Sequence, residues 1–389
     1  MSIQQNFPAI SPSLNLNFAR SKTLDPRITF SRTTTATRVN EQGLVEVVSA
    51  DIPRFDHEYD ASTGVVKSLG LLVEEQRTNF ILNSNLPAGD EASGQSTITV
   101  STVSGVITPD GNSSTVRRLQ YAANAAYRFG DTSSGTAGLS YTGSVWARAV
   151  SGSAYISLDV NDRGGIGYTI GEEWQRLSTT GSRNDVNYRF FDLTGQNQDI
   201  YIWGIQLEEG AFLTSYIPTD GTIGGKTRNP DNVSITGDNF SDWYNQSEGT
   251  LYANFKGGRD SNPAGDYGTV VAHSNTYVML SLGNSESKLL GYFQYPGPPT
   301  SVTLTIPNSD YVEVGGDICV SYDLTSTTLV KGSLQSTESI NPASSVNPVT
   351  FWKLGSSSEA NNRYLNGTIS QLTYYPRRLT NTQLQNLTK

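Results

Sequence analysis

Trp203-Gly-Ile-Gln-Leu-Glu-Glu-Gly210, continued by Thr214-Ser-Tyr-Ile-Pro-Thr219, is the stretch that divides this chain. Trp203, Ile205 and Leu207 alternate with Gly204 and Gln206 ahead of a Glu-Glu-Gly turn, which is the period of a half-buried strand. The segment therefore closes a β-module and places a boundary near residue 220. A second β-rich stretch follows it, closed in turn by residues 363–387.

Upstream of the closing strand, short runs at 96–103, 115–120, 127–130, 139–149, 154–160, 174–180 and 187–192 alternate with Gly, Asn and Asp turns. With 200–207 they make the strand set of a jelly roll over residues 80–220, in which two antiparallel sheets bury alternate residues between them. Residues 1–79 carry only short runs, at 28–31, 44–48 and 64–73, and are expected to form an extended leader that packs on the next domain, on sister chains or on a larger assembly. In that leader Glu74, Glu75, Arg77 and Asn79 are placed to tie it to the jelly roll. Residues 221–247, rich in Gly, Asn and Asp and interrupted by Pro230, read as a connector.

From residue 248 strands recur at 250–255, 269–272, 276–282, 287–295, 302–306, 318–323, 327–333, 349–354 and 367–375. One helix follows. Thr380 and Gln383 have the spacing of a capping box, and Leu379 with Leu384 that of a hydrophobic staple, so a short closing helix is expected at the rim of the sandwich.

Composition restricts the function classes. A length of 389 residues is enough for two or three domains with cores of their own. The single cysteine, Cys319, excludes an intrachain disulfide and reads as a small buried strand residue; two histidines exclude a cluster of Cys and His ligands. No apolar run has the length of a signal peptide or a membrane span, so a soluble protein made in a cytoplasm is expected, without membrane insertion. The net charge of -9 with scattered signs offers no basic stripe for a phosphate backbone, which argues against nucleic acid as a partner.

Three segments of the first module, Val145-Trp-Ala-Arg-Ala-Val-Ser-Gly152, Trp174-Gln-Arg-Leu-Ser-Thr-Thr180 and the Trp203–Thr219 close, resemble the carbohydrate-binding-module-like jelly roll of bacteriophage tail and head-fibre proteins. Arg54-Phe-Asp-His-Glu-Tyr-Asp60 and Gly70-Leu-Leu-Val-Glu-Glu-Gln-Arg-Thr-Asn79 resemble the segment preceding it in phage structural proteins. The run from Tyr364-Leu-Asn-Gly-Thr-Ile-Ser to Leu387 is similar to the last strand and closing turn of concanavalin-A-like, laminin-G-like sandwiches. The expected fold is all-β: two antiparallel β-sandwiches, jelly roll (80–220) then concanavalin-A-like (248–389), in series after an extended N-terminal leader.

The resemblance implies a virion surface protein, assembled in the host cytoplasm. It would be attached to other virion proteins through the N-terminal region, homotrimeric, and able to adsorb to a host-surface glycan. Two alternatives stay open: a decoration protein that binds only virion subunits, and a polysaccharide depolymerase.

Catalytic chemistry has little to stand on. Asp159 and Asp162 are the nearest approach to an acid pair, but their odd separation sends them to opposite faces of a regular strand. His57 and His273 are the available imidazole bases, and both read as surface or hydrogen-bonded residues, so no enzyme is expected. No cofactor is expected. A structural calcium ion would need loop carboxylates such as Asp231, Asp238, Asp242, Asp260 and Asp266, whose spacing follows no ordered ligand pattern and reads as solvated loop. Sugar faces stack on exposed rings, and the loop aromatics Trp243, Tyr244, Tyr292 and Tyr295 are the glycan-binding candidates, whereas Trp146, Trp174 and Trp203 read as core.

Overall fold

The computed structural model describes residues 8–389 apart from 61–62, 87–89, 92–96, 132–135, 161–164, 183–188, 222–224, 258–267, 274–277, 283–287, 294–299, 306–314, 340–347 and 358–362. Tyr295 therefore lies outside the described residues. The chain is all-β, built as two antiparallel sandwiches.

The first sandwich stacks two five-stranded sheets. One runs in the order Gln175–Ser182, Ser140–Ala149, Gln198–Glu209, Ser113–Tyr121, Ile98–Ile107; the other runs Ile166–Ile170, Ala154–Val160, Arg189–Gly195, Ala125–Asp131, Asp90–Glu91. Between them lies a core that includes Leu119, Val145, Ile156, Leu158, Phe191, Ile202, Ile205 and Leu207.

The closing strand Gln198–Glu209 is not a simple alternation. Trp146 is paired with Trp203 but Ser144 with Gln206, so this strand carries one extra residue at Gly204, a bulge with φ of 62°. A Cβ on Gly204 would sit 2.6 Å from the Trp146 ring, so packing as well as backbone conformation requires glycine. The bulge reverses the phase of the strand. Ile205 and Leu207 enter the core, while Trp203, expected on their face, turns to the outer face and joins Trp146 and Tyr216 in a separate cluster.

The second sandwich is made from both ends of the chain. Its eight-stranded sheet follows the order Leu334–Ser339, Ser326–Lys331, Gly315–Tyr322, Gly249–Lys256, Gly367–Tyr375, Val65–Val73, Arg54–Asp60, with Leu14–Asn17 also paired to Gly367–Tyr375. The facing seven-stranded sheet begins with Thr29–Ser31, Asn232–Thr236 and Phe351–Leu354. Residues expected to form an extended leader and a connector thus supply strands to the C-terminal sandwich. Leu14, Leu16, Phe18, Phe55, Leu71 and Val73 lie in the same core as Leu251, Val320 and Leu372, and Val233, Ile235 and Phe240 join them.

The jelly roll is an insertion. Arg77–Asn79 leads into it, Lys226–Arg228 leads out, and these two strands pair antiparallel, Thr78 opposite Thr227. The leader looked poor in core because its apolar positions are scattered over separate strands. The apolar positions gain a core only by pairing with strands some 300 residues away, as in Leu16 opposite Leu372.

The helix Asn381–Leu387 forms with the expected capping box: Gln383 N–H donates to Thr380 Oγ1 at 3.4 Å, and Thr380 N–H donates to Gln383 Oε1 at 3.0 Å. It sits on the outer face of the eight-stranded sheet rather than at the rim, where Leu379 and Leu384 bury Cys319 and Val330. Cys319 is a free, buried strand residue.

Each buried Leu or Phe of the leader stabilises by about 1.5–3 kcal/mol, against a whole-domain stability of about 5–15 kcal/mol. Residues 248–389 expressed alone should therefore remain unfolded by circular dichroism, whereas 8–79 joined to 225–389 through a short Gly/Ser linker should show a cooperative melt. A cooperative melt from 248–389 alone would contradict this architecture.

Candidate functional site

The segment after the closing strand, Thr214 to Thr219, lies over the neck where the insertion joins the second sandwich, and polar groups hold it there. Gln206 and Glu208, which a half-buried strand would turn to water, are buried. Ile217 N–H donates to Gln206 Oε1 at 2.7 Å, and Glu208 accepts from Thr214 N at 2.9 Å and Thr214 Oγ1 at 2.6 Å. Asn79 serves as a clip between the two parts: its Nδ2 donates to the carbonyls of Ile205 and Ile217 at 3.1 and 2.9 Å, and its Oδ1 accepts from Leu207 N at 3.1 Å.

Beneath this segment lies a buried ion network. Arg54 pairs with Glu74 at 2.8 Å and Asp231 at 2.5 Å; Arg32 pairs with Asp231 at 2.9 Å and Arg228 with Glu74 at 3.0 Å. Ser215 completes the shell of Glu74, donating through its backbone N–H at 2.7 Å and its hydroxyl at 2.6 Å. Burial would push the Glu74 carboxyl up, but Arg228, Arg54 and the two Ser215 bonds outweigh it and hold the group at about 2.

Next to the network is a cleft of about 300 Å³ between the two sandwiches. Its lining includes Asp56, Trp146, Arg176, Tyr216, Lys256 and Thr368. Trp146, Trp203 and Tyr216 form an aromatic triad with centroids 5.2–5.4 Å apart, and the Arg176 guanidinium lies 4.5 Å from the Trp146 ring centroid. Arg176 donates to Thr214 O at 3.0 Å and Ser144 Oγ at 3.3 Å, and forms no ion pair with any described residue. Burial lowers Arg176 to about 10, against the pull of Glu208 and Glu74. Burial likewise raises Asp56 to about 6, although its carboxylate accepts from Val39 N at 2.6 Å.

A second feature is the outward face of the other jelly-roll sheet. In Ala154–Val160 the residues Ile156, Leu158 and Val160 point into the core, leaving Tyr155, Ser157 and Asp159 outside. Thr169, Thr194 and Asp192 stand opposite these three across the neighbouring strands, and Arg128 holds Asp192 through two bonds of 2.8 and 2.6 Å. Tyr155 is 59% exposed, and a Cβ on Gly167 would come within 2.0 Å of its hydroxyl, so the ring lies across a glycine. The result is an open aromatic ring on a polar sheet.

The residues singled out from the sequence fall elsewhere. Trp243 and Tyr244 are not loop rings open to sugars. They are 6% and 8% exposed and pack with Phe240, Trp352 and Tyr374 at centroid distances of 4.7–5.8 Å, so their faces are taken by other rings. Tyr292 lies on the strand Lys288–Phe293.

Asp231, read as solvated loop, is fully buried because it is the shared partner of Arg32 and Arg54; Asp260 and Asp266 lie outside the described residues. Among the described residues no group of three or more acidic, His or Cys side chains is placed to hold a metal ion. Of the surface and hydrogen-bonded roles expected for the histidines, the surface one fails, since His57 and His273 are both buried, while His57 Nδ1 lies within hydrogen-bond distance of Val39 O at 3.1 Å; Asp162 lies outside the described residues. Trp146 and Trp203 are buried as expected, while Trp174 is half-buried, donating to Ile107 O at 2.8 Å.

The sequence reading missed Asp56, Tyr155 and Arg176. For Tyr155 a signal existed, since it occupies the polar phase of an alternating strand. For Arg176 none did, because a solvated arginine on a strand has the same pattern.

The two carboxyl groups have opposite effects on stability. Glu74, held at about 2 against an ordinary value of 4.5, stabilises the fold above pH 4.5 and loses that contribution as pH falls towards 2. Asp56, raised from 3.8 to about 6, favours the fold below pH 3.8 and loses its contribution as pH rises through 6. Urea midpoints measured from pH 2 to 8 should show both limbs. Asp56→Asn should flatten the limb between 3.8 and 6. Glu74→Gln should flatten the acid limb and cost about 3–5 kcal/mol at neutral pH, because it strands buried guanidinium groups.

No protein family matches the chain, and no curated protein matches it. Among solved structures it is similar to the CBM22-1–CBM22-2 tandem domain of Paenibacillus barcinonensis Xyn10C, at 9% identity and a TM-score of 0.27, covering 77% of this chain and 94% of that one. Mouse laminin α1 chain domains LG4-5 give 9% identity and a TM-score of 0.26, covering 80% and 92%. The CBM22-1–GH10 modules of Clostridium thermocellum xylanase 10B, crystallised with xylohexaose, give 11% identity and a TM-score of 0.24; the match covers 34% of this chain and 27% of that chain.

Proposed function

We propose that this is a non-enzymatic glycan-binding protein of a bacteriophage particle surface, and that the Tyr155 face of the jelly roll meets the glycan. The observation that carries the reading is the exposed Tyr155 ring, set among Ser157, Asp159, Thr169 and Thr194 on one sheet face. Sugar rings present an apolar face edged by hydroxyl groups. An aromatic side chain takes the first, and short polar side chains at fixed strand spacing take the second. Tyr59, the other described aromatic side chain more than half exposed at 62%, sits on the hairpin strand Arg54–Asp60 between Glu58 and Asp60, away from the jelly roll.

The phage setting rests on the resemblance of residues 54–79 and 145–219 to phage structural proteins. Attachment through an extended N-terminal arm does not suit a region whose strands Leu14–Asn17, Thr29–Ser31, Arg54–Asp60 and Val65–Val73 belong to the second sandwich, so docking onto the particle falls to a folded surface. A homotrimer remains part of the proposal.

Wild-type protein on an array of bacterial surface polysaccharides should bind a restricted set. Tyr155→Ala should weaken that binding about three- to tenfold, on the order of 1 kcal/mol, with an unchanged melting temperature. Absence of any array signal would favour a purely structural decoration protein, and reducing-end release from a bound polysaccharide would favour a depolymerase. Antibody labelling of intact particles tests the virion setting, which labelling of neither head nor tail would refute.

A further inference from the structure

We infer that the cleft between the two sandwiches is a second binding site, selective for a carboxylated monosaccharide such as a uronic acid, with Arg176 as its carboxylate receptor. The site is separate from the Tyr155 face.

The charges of the cleft single out one residue. Arg38 is paired with Glu46 at 3.0 Å, Lys256 with Glu58 at 2.9 Å, and the carboxylate of Glu74 is shared by Arg54 and Arg228. Arg176 alone among the described cations lining the cleft has no carboxylate partner. It donates two hydrogen bonds, to Thr214 O and Ser144 Oγ, out of the five N–H donors that a guanidinium carries.

Its place over the Trp146 ring and its bonds to Thr214 O and Ser144 Oγ hold the guanidinium, so little side-chain freedom is lost when an anion docks. A planar, pre-oriented guanidinium matches the two oxygens of a carboxylate. Around it, Asp56 and Thr368 supply polar groups for hydroxyls, while Val39, Val45, Leu72 and Leu213 line the rest with apolar surface. A volume of about 300 Å³ lies at the small end of ligand sites, which run to about 1,000 Å³, and so suits one sugar ring rather than a chain. The mixture of apolar wall and hydroxyl partners favours a sugar acid over a bare inorganic anion.

Isothermal titration of the full chain at constant ionic strength with sodium glucuronate, glucose and sodium sulfate tests this. Glucuronate should bind at least about tenfold more tightly than either of the others. Arg176→Gln should abolish that preference, and Arg176→Lys, which keeps the charge but loses the fork, should weaken glucuronate without equalising it with glucose. Melting curves report whether each variant is folded. Should Arg176→Gln fail to fold, Leu213→Trp, which fills the cleft from a half-buried loop position, should block glucuronate instead. The proposal is overturned by wild-type protein that does not bind glucuronate, by glucose or sulfate binding as tightly, or by a folded Arg176→Gln or Leu213→Trp variant that binds glucuronate as wild type does.

Discussion

The structure depends on five charged side chains removed from water at one place. Arg32, Arg54 and Arg228 share the carboxylates of Glu74 and Asp231, and all five are buried. Charges taken out of water must find partners, and the partners here come from residues 32, 54, 74, 228 and 231, on both sides of the inserted jelly roll. The network thus requires the two ends of the insertion to meet in one arrangement. An apolar patch at the same place would tolerate sliding, whereas this one has directional bonds at every contact.

Ser215 joins the insertion to that network. It follows the closing strand of the jelly roll, yet donates twice to Glu74, and its hydroxyl accepts from Arg54 at 2.7 Å and Arg228 at 2.8 Å. The jelly roll is thereby fastened by its own last segment as well as by the paired neck strands. The cleft follows from this attachment. It is lined from both sandwiches, and Arg176 reaches it from Gln175–Ser182, the edge strand of its sheet.

Much of the fold was legible from local pattern. The strand periods and the capping box of the last helix could be read from residue spacing. The phase of Trp203 could not, because one bulged glycine reverses a strand without disturbing the alternation of residue types. Trp243 and Tyr244 illustrate the same limit. A Trp-Tyr pair in a polar segment reads as exposed until Phe240, Trp352 and Tyr374 are brought around it.

The sequence by itself determined an all-β chain with a jelly roll ending at the Trp203–Thr219 segment, because periodicity and turn chemistry are local properties. Only the tertiary structure decided that the strands Leu14–Asn17, Thr29–Ser31, Arg54–Asp60 and Val65–Val73 belong to one sandwich with those that follow the jelly roll, since that depends on hydrogen bonds between strands such as Leu14–Asn17 and Gly367–Tyr375. It also decided the meaning of single charges. Asp231 is a network centre, and Arg176 a cation with no carboxylate partner among the described residues, because of what other segments place beside them, and no spacing along the chain records such long-range proximity.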